Sequence, residues 1–145
     1  MFGNFSTMDI SASGLTAERL RMEVTANNIA NANTTKTASG EPFRRQTVVF
    51  SAMLDDAAGL TTTGKSMQGV QIVGIESDPS EFPEVYRKGH PHADEDGMLR
   101  IPNVSIPNEM VDLITASRSY EANLKSMSLF KEMVEQTLTL LQGGR

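Results

Sequence analysis

Between residues 107 and 142 the chain contains no glycine and, after Pro107, no proline. The two residues that most penalise a helix interior are therefore missing from the whole stretch. Its apolar side chains also keep a seven-residue beat. Leu113, Tyr120, Met127, Val134 and Leu141 hold one heptad position. Met110, Ser117, Leu124, Lys131 and Leu138 hold the other, which is polar only at Ser117 and Lys131. A period of 3.5 kept over about five heptads predicts a long helix that packs along another helix. At 1.5 Å per residue it runs roughly 50 Å. A compact core built from 145 residues does not need that length, and the excess points to assembly.

The other end of the chain carries a similar stripe. Met8, Leu15, Met22 and Ile29 recur at sevens, with Ala12 and Ala26 at the partner position and Arg19 between them. The pattern Ser6-x-x-Asp9 predicts a capped helix start near Ser6. Gly14 weakens this helix by about 1 kcal/mol relative to alanine, yet allows a close approach by another backbone. The stripe runs into Asn27, Asn28, Asn31 and Asn33, whose amides compete with the helix for backbone groups. Asn27 and Asn28 flank the stripe, so they suit hydrogen bonds across a helix interface. A fraying helix end entering a polar loop fits the same residues.

All six prolines lie between Pro42 and Pro107, and nine of the eleven glycines lie at or beyond Gly40. The breakers thus collect in the middle. After a polar connector over 35–42, β-branched and aromatic residues predict strands over 43–54, 70–76, 82–88 and 98–101, with a loop at 55–69. Strands this few need a partner surface, either the long helices or a neighbouring subunit. The expected fold class is α+β. Its parts are an N-terminal helix within 1–34, a small central β-rich segment over 35–106, and a C-terminal long helix within 107–145, the two helices pairing as a coiled coil.

Composition narrows the chemistry. The net charge is −5, and Arg44-Arg45 is the nearest thing to a basic patch, which argues against a nucleic-acid partner. Cysteine is absent, so disulfides, thiolate metal sites and thiol catalysis are excluded together. No run of 18 apolar residues offers a membrane span, and residues 1–15 lack the basic and apolar regions of a secretory signal peptide. His90-Pro91-His92-Ala93-Asp94-Glu95-Asp96-Gly97 has metal-ligand residue types. Its spacing matches neither a helical zinc motif nor a calcium loop, and Pro91 and Gly97 make it a turn between two strands. No serine lies in a Gly-x-Ser-x-Gly elbow, and Thr63-Gly64-Lys65-Ser66 lacks the upstream glycine of a phosphate loop. Neither an enzyme nor a cofactor is expected.

Two motifs at opposite ends carry a family resemblance. Gly14 with Val24-Thr25-Ala26-Asn27-Asn28-Ile29-Ala30-Asn31-Ala32-Asn33-Thr34 resembles the N-terminal motif of bacterial flagellar rod and hook proteins. Glu109-Met110-Val111-Asp112-Leu113-Ile114-Thr115-Ala116-Ser117-Arg118-Ser119-Tyr120-Glu121-Ala122-Asn123 resembles their C-terminal motif. His90-Pro91-x-Ala93-Asp94-x-x-Gly97, followed by Pro102-Asn103-Val104, is similar to the corresponding region of the proximal rod members. The chain departs from them at Arg87-Lys88, His92 and Met98-Leu99.

The resemblance implies terminal helices paired as the inner layer of a hollow tube, with the β-rich segment outside. Such a tube transmits motor torque and passes exported axial proteins. The implied partners are copies of the chain itself, other proximal and distal rod proteins, the rod-to-ring adaptor and the flagellar type III export apparatus. The implied location is the periplasmic rod of the basal body, reached without a cleavable signal peptide. Residues expected at the assembly interface are Met8, Leu15, Met22, Asn27, Asn28, Ile29 and Asn31, then Met110, Leu113, Tyr120, Asn123, Leu124, Met127, Val134, Leu138 and Leu141. Ser117 and Lys131 become places where the helix meets a third neighbour or the channel. Helices of this length gain most of their stability from burial, so disordered ends that order on assembly are expected in the free subunit. Another rod protein of the same family, a cytoplasmic coiled-coil export adaptor and a metal-dependent enzyme on the His90–Asp96 turn are the competing readings.

Overall fold

The structure, a computed structural model, describes residues 3–54 and 67–142. Helix α1 spans Gly3–Ala30 and helix α2 spans Ile106–Gln142. Between them, β1 (Gln46–Leu54) and β2 (Met67–Ser77) form one two-stranded sheet, and β3 (Glu84–Tyr86) and β4 (Met98–Arg100) form another. The fold class is α+β. No helix among the described residues is long and apolar enough to cross a membrane.

The element boundaries correct three expectations. Helix α1 is already under way at Gly3, so Ser6 lies inside it and does not cap it; serine costs a helix interior too little to stop it there. At its other end the asparagine run does stop the helix. The Ala32 and Thr34 amides bond to Ile29 and Asn31 carbonyls at 3.2 and 3.0 Å, the i→i−3 spacing that tightens a last turn. Strand β1 begins three residues later than the expected 43, because the Arg45 amide donates to the side chain of Asn103 at 2.8 Å and not to a neighbouring strand. Strand β2 starts earlier than expected, at Met67, so 67–69 belong to it. The remainder of the expected loop, 55–66, lies outside the described residues.

In the second sheet β3 and β4 are antiparallel, with Val85 opposite Leu99 and Tyr86 opposite Met98. The turn that joins them closes through Arg87 N–H to Gly97 O and Asp94 N–H to Met98 O, at 2.8 and 2.9 Å. Gly97 has a φ of 77°, a left-handed conformation that glycine adopts without strain.

The backbone divides into two compact units. The first takes the described parts of residues 1–19, 50–73 and 116–145; the second takes 20–49 and 74–115. Each helix therefore contributes to both. In the first unit the buried helix positions are small, Ala17 on α1 and Ala116 on α2. Strand β2 docks on α1 there: the Val70 amide donates to Ser13 Oγ at 3.1 Å, while that hydroxyl donates to the Ile10 carbonyl at 2.7 Å. In the second unit Val24, Val48, Phe82 and Leu99 make an apolar core. The Arg44 guanidinium stacks on Phe82, 4.2 Å from the ring centre, a cation–π contact.

The exposure of α2 sharpens its stripe. Leu113, Tyr120, Met127 and Val134 are half-buried, as their shared heptad position predicts. Leu141, the fifth residue of that series, is exposed. The other buried row is displaced by one residue from the apolar pattern. It consists of Glu109, Ala116, Asn123 and Phe130, whereas Met110, Leu124 and Leu138 are 53, 50 and 52% exposed. The displacement has a plain cause. Two of the four inward positions carry polar residues, so hydropathy selects their outward neighbours. On α1 the Met8, Leu15, Met22 and Ile29 stripe is half-buried, and the deepest positions are Ala17, Val24, Thr25 and Asn28.

Candidate assembly interface

The sequence-selected residues divide into a buried polar node at Asn28, half-buried stripes on both helices, and exposed apolar positions on α2. The node lies in the second unit and is centred on Asn28, near the end of α1. Its amide oxygen accepts the Gln46 N–H at 3.0 Å. Its amide nitrogen donates to the Gln46 carbonyl at 2.8 Å and to Glu109 Oε2 at 2.9 Å. One side chain thereby stands in for the strand that β1 lacks at its first residue. Asn28 and Glu109 are each only 1% exposed, so these groups have no access to water as an alternative partner.

Glu109 sits in the first turn of α2, where a negative charge is favoured by the helix dipole. Its other oxygen receives Arg45 Nε at 2.6 Å. Arg45 also reaches Asp112 Oδ2 at 3.3 Å, and Asp112 meets Arg21 of α1 at 3.7 Å. Going along α1 from Arg21 to Asn28, the partners on α2 step back from Asp112 to Glu109, so within this unit the two helices run antiparallel.

A second asparagine completes the node. Asn103 Oδ1 accepts the Arg45 amide, and its Nδ2 donates to Ser80 Oγ at 2.8 Å. Asp78 holds the adjoining corner: Ser80 N–H donates to its Oδ1 at 2.9 Å and the Arg45 guanidinium lies 4.0 Å from its Oδ2. The hydrogen bonds from Ser80, helped by the charges of Arg45 and Arg44, hold the Asp78 carboxyl below its ordinary value of 3.8.

The other asparagines behave differently. Asn31 Nδ2 donates to the Asn27 carbonyl at 2.9 Å, and Asn27 is exposed. Both therefore serve the fraying end of α1, whereas Asn28 makes the contact across helices. In the first unit Gly14 lies against Asn123: a methyl group placed on Gly14 would sit 2.8 Å from Asn123 Nδ2. The close approach expected at Gly14 is thus made by a side chain and not by a second backbone. Arg45, Asp78, Asn103 and Glu109 were not among the expected site residues. Their signal is faint but present: an acid in the first turn of a helix, and paired arginines just before a strand.

The outer surface of α2 exposes many apolar side chains. Besides Met110, Leu124 and Leu138, the side chains of Val111, Ile114, Leu129, Met133, Leu140 and Leu141 are exposed. Among the described residues no group of three or more His, Asp or Glu side chains gathers as a metal site.

Comparison with known proteins bears on both ends and on the whole. Residues 8–36 match the family described as flagella basal body rod protein, and residues 95–140 match the C-terminal region of flagellar basal body rod FlgEFG proteins. Flagellar basal-body rod protein FlgC of Aquifex aeolicus is 43% identical over 139 residues, covering 94% of this chain and 96% of its own. The chain belongs to the FlgC family of flagellar basal-body rod proteins.

Other members are similar over comparable lengths. FlgC of Salmonella typhimurium is 41% identical, covering 92% of this chain and 95% of its own. FlgC of Borreliella burgdorferi is 38% identical, covering 97% and 99%. In this FlgC-family chain the matched segments contain Asn28 and Glu109, and Arg45, which bonds to Glu109, comes from the segment between.

Proposed function

We propose that the chain is a structural subunit of the proximal rod of the bacterial flagellar basal body and has no catalytic activity. The reading rests on similarity to FlgC rod proteins over nearly the full length of both chains. Helices α1 and α2 pair as a coiled coil in the inner layer of a hollow shaft, with the β-rich segment outside. The observation that favours polymerisation is the exposed apolar surface of α2. Leu140 and Leu141 are 79 and 68% exposed, and covering a leucine fully stabilises by about 1.5–3 kcal/mol. Copies of the chain, other rod proteins and the rod-to-ring adaptor cover that surface, and the shaft so formed transmits torque and passes exported axial proteins. Subunits reach the periplasmic rod through the flagellar type III apparatus, and their helix ends become fully ordered on assembly.

Electron microscopy of basal bodies from a strain deleted for this chain tests the reading. The expected result is loss of the rod, restored by the wild-type chain. Intact rods in the deletion strain would sink it.

A further inference from the structure

We infer that the β3–β4 hairpin joins copies of the chain: Tyr86 of one copy seats in a cleft on the opposite face of the same hairpin in the next copy. The inference rests on the reading of the chain as a subunit that polymerises. Side chains alternate between the two faces of a strand, and the register sets Val85 opposite Leu99 and Tyr86 opposite Met98. Val85 and Leu99, with Arg87 and Ile101 continuing the alternation, line a cleft of about 250 Å³ that the loop after α1 borders at Ala32 and Thr35. Glu84, Tyr86 and Arg100 fall on the other face. There Tyr86 is 62% exposed, with one edge of its ring over Gly97, where a methyl group would come within 3.0 Å of it.

The two faces are complementary in shape and in charge. A cavity of about 150 Å³ holds a benzene ring, so the cleft has room for a phenol. Val85, Leu99 and Ile101 make its wall apolar, while Thr35 and Arg87 bring polar atoms, which suits a side chain with an apolar ring and a polar tip. Tyrosine is also among the residues that most often anchor an interface. The Arg87 side chain makes no ion pair or hydrogen bond among the described residues. Glu84 is held by Arg100 only at 3.8 Å, with both side chains about half exposed, and such a pair adds little in water. Glu84 lies two strand residues from Tyr86, about 7 Å, a separation that an arginine side chain bridges. With Tyr86 seated, Glu84 therefore meets Arg87 at the rim of the next copy.

The projecting ring and the receiving cleft are different patches of one hairpin. A contact between them is heterologous: each copy keeps one free ring or one free cleft for a further copy, so the contact repeats in one direction. A self-contained pair of copies would need a single self-complementary patch instead.

The chain has no tryptophan, so Tyr86→Trp carries a sole reporter and the wild-type chain is a silent titrant. Full-length Tyr86→Trp protein at low concentration is titrated with full-length wild-type chain up to about 1 mM. Its emission is expected to move to the blue as the indole leaves water. With Arg87→Glu as the titrant the apparent affinity is expected to fall about tenfold, and adding Glu84→Arg to the Tyr86→Trp chain is expected to recover it. An emission maximum that stays in place over this range would overturn the inference. So would an Arg87→Glu titrant as good as wild type, or a loss that Glu84→Arg does not recover. The rod reading stands or falls separately, on whether the deletion strain keeps its rods.

Discussion

Asn28 and Glu109 stand 81 residues apart in the chain and share a 2.9 Å hydrogen bond out of reach of solvent. That contact ties the end of α1 to the start of α2, and the remaining atoms of the same amide hold the first residue of β1. Three elements remote in sequence are thus fixed by one side chain. Asn28→Ala leaves the Gln46 N–H, the Gln46 carbonyl and a Glu109 oxygen short of a partner. It is expected to destabilise by about 2–3 kcal/mol, read from urea unfolding by circular dichroism. Asn28→Asp, with the same shape but a negative charge facing Glu109, is expected to cost more. An Asn28→Ala protein as stable as the parent would remove the node from the account.

The Arg45–Glu109 pair is coupled through a 2.6 Å contact in which the acid is buried and the arginine partly exposed. Removing either partner strands the other, while removing both does less harm than the sum. A double-mutant cycle with Arg45→Met and Glu109→Gln is expected to give a coupling energy of about 1–3 kcal/mol. Additive single effects would show that the charges act independently.

Gly14 tests the small-residue contact. Alanine would gain about 1 kcal/mol of helix propensity, but its methyl group meets Asn123 Nδ2. Gly14→Ala alone is therefore expected to be close to neutral. In an Asn123→Ala background the obstruction is gone, and the same change is expected to stabilise by about 1 kcal/mol. A gain of equal size in both backgrounds would mean that Asn123 does not press on the glycine.

Asp78 sets an acid limb. Because its carboxyl is held below the ordinary value of 3.8, chiefly by the Ser80 amide, its contribution is complete above that value. It is lost as pH falls through the lower folded one. Asp78→Asn is expected to lower stability at neutral pH and to flatten its decline below about pH 4. An acid limb identical in the two proteins would contradict this assignment.

Much of the fold is legible in the residues. Absence of glycine and proline across 107–142 is enough for α2, and the β-branched clusters locate all four strands to within three residues at their starts. One heptad row, Leu113 to Val134, is legible because packing there uses apolar side chains. The other is not, because Glu109 and Asn123 are inward polar residues whose burial depends on partners far away in sequence. Arg45 and Asp78 are illegible for the same reason. Asn28 could be singled out from its place beside the stripe, but nothing local says that its partners are Gln46 and Glu109 and not solvent.

The most direct test of the rod reading is a charge on the exposed apolar surface of α2 that leaves the inward contacts alone. Leu124 is half exposed and adjoins the Asn123 that meets Gly14. Leu124→Asp should therefore leave the far-UV circular dichroism of the purified chain unchanged. Basal bodies isolated from a deletion strain carrying this variant are predicted to lack both the chain and the rod, and the cells to be non-motile. Normal rods containing the variant chain, in swimming cells, would contradict the proposed role of this face in assembly.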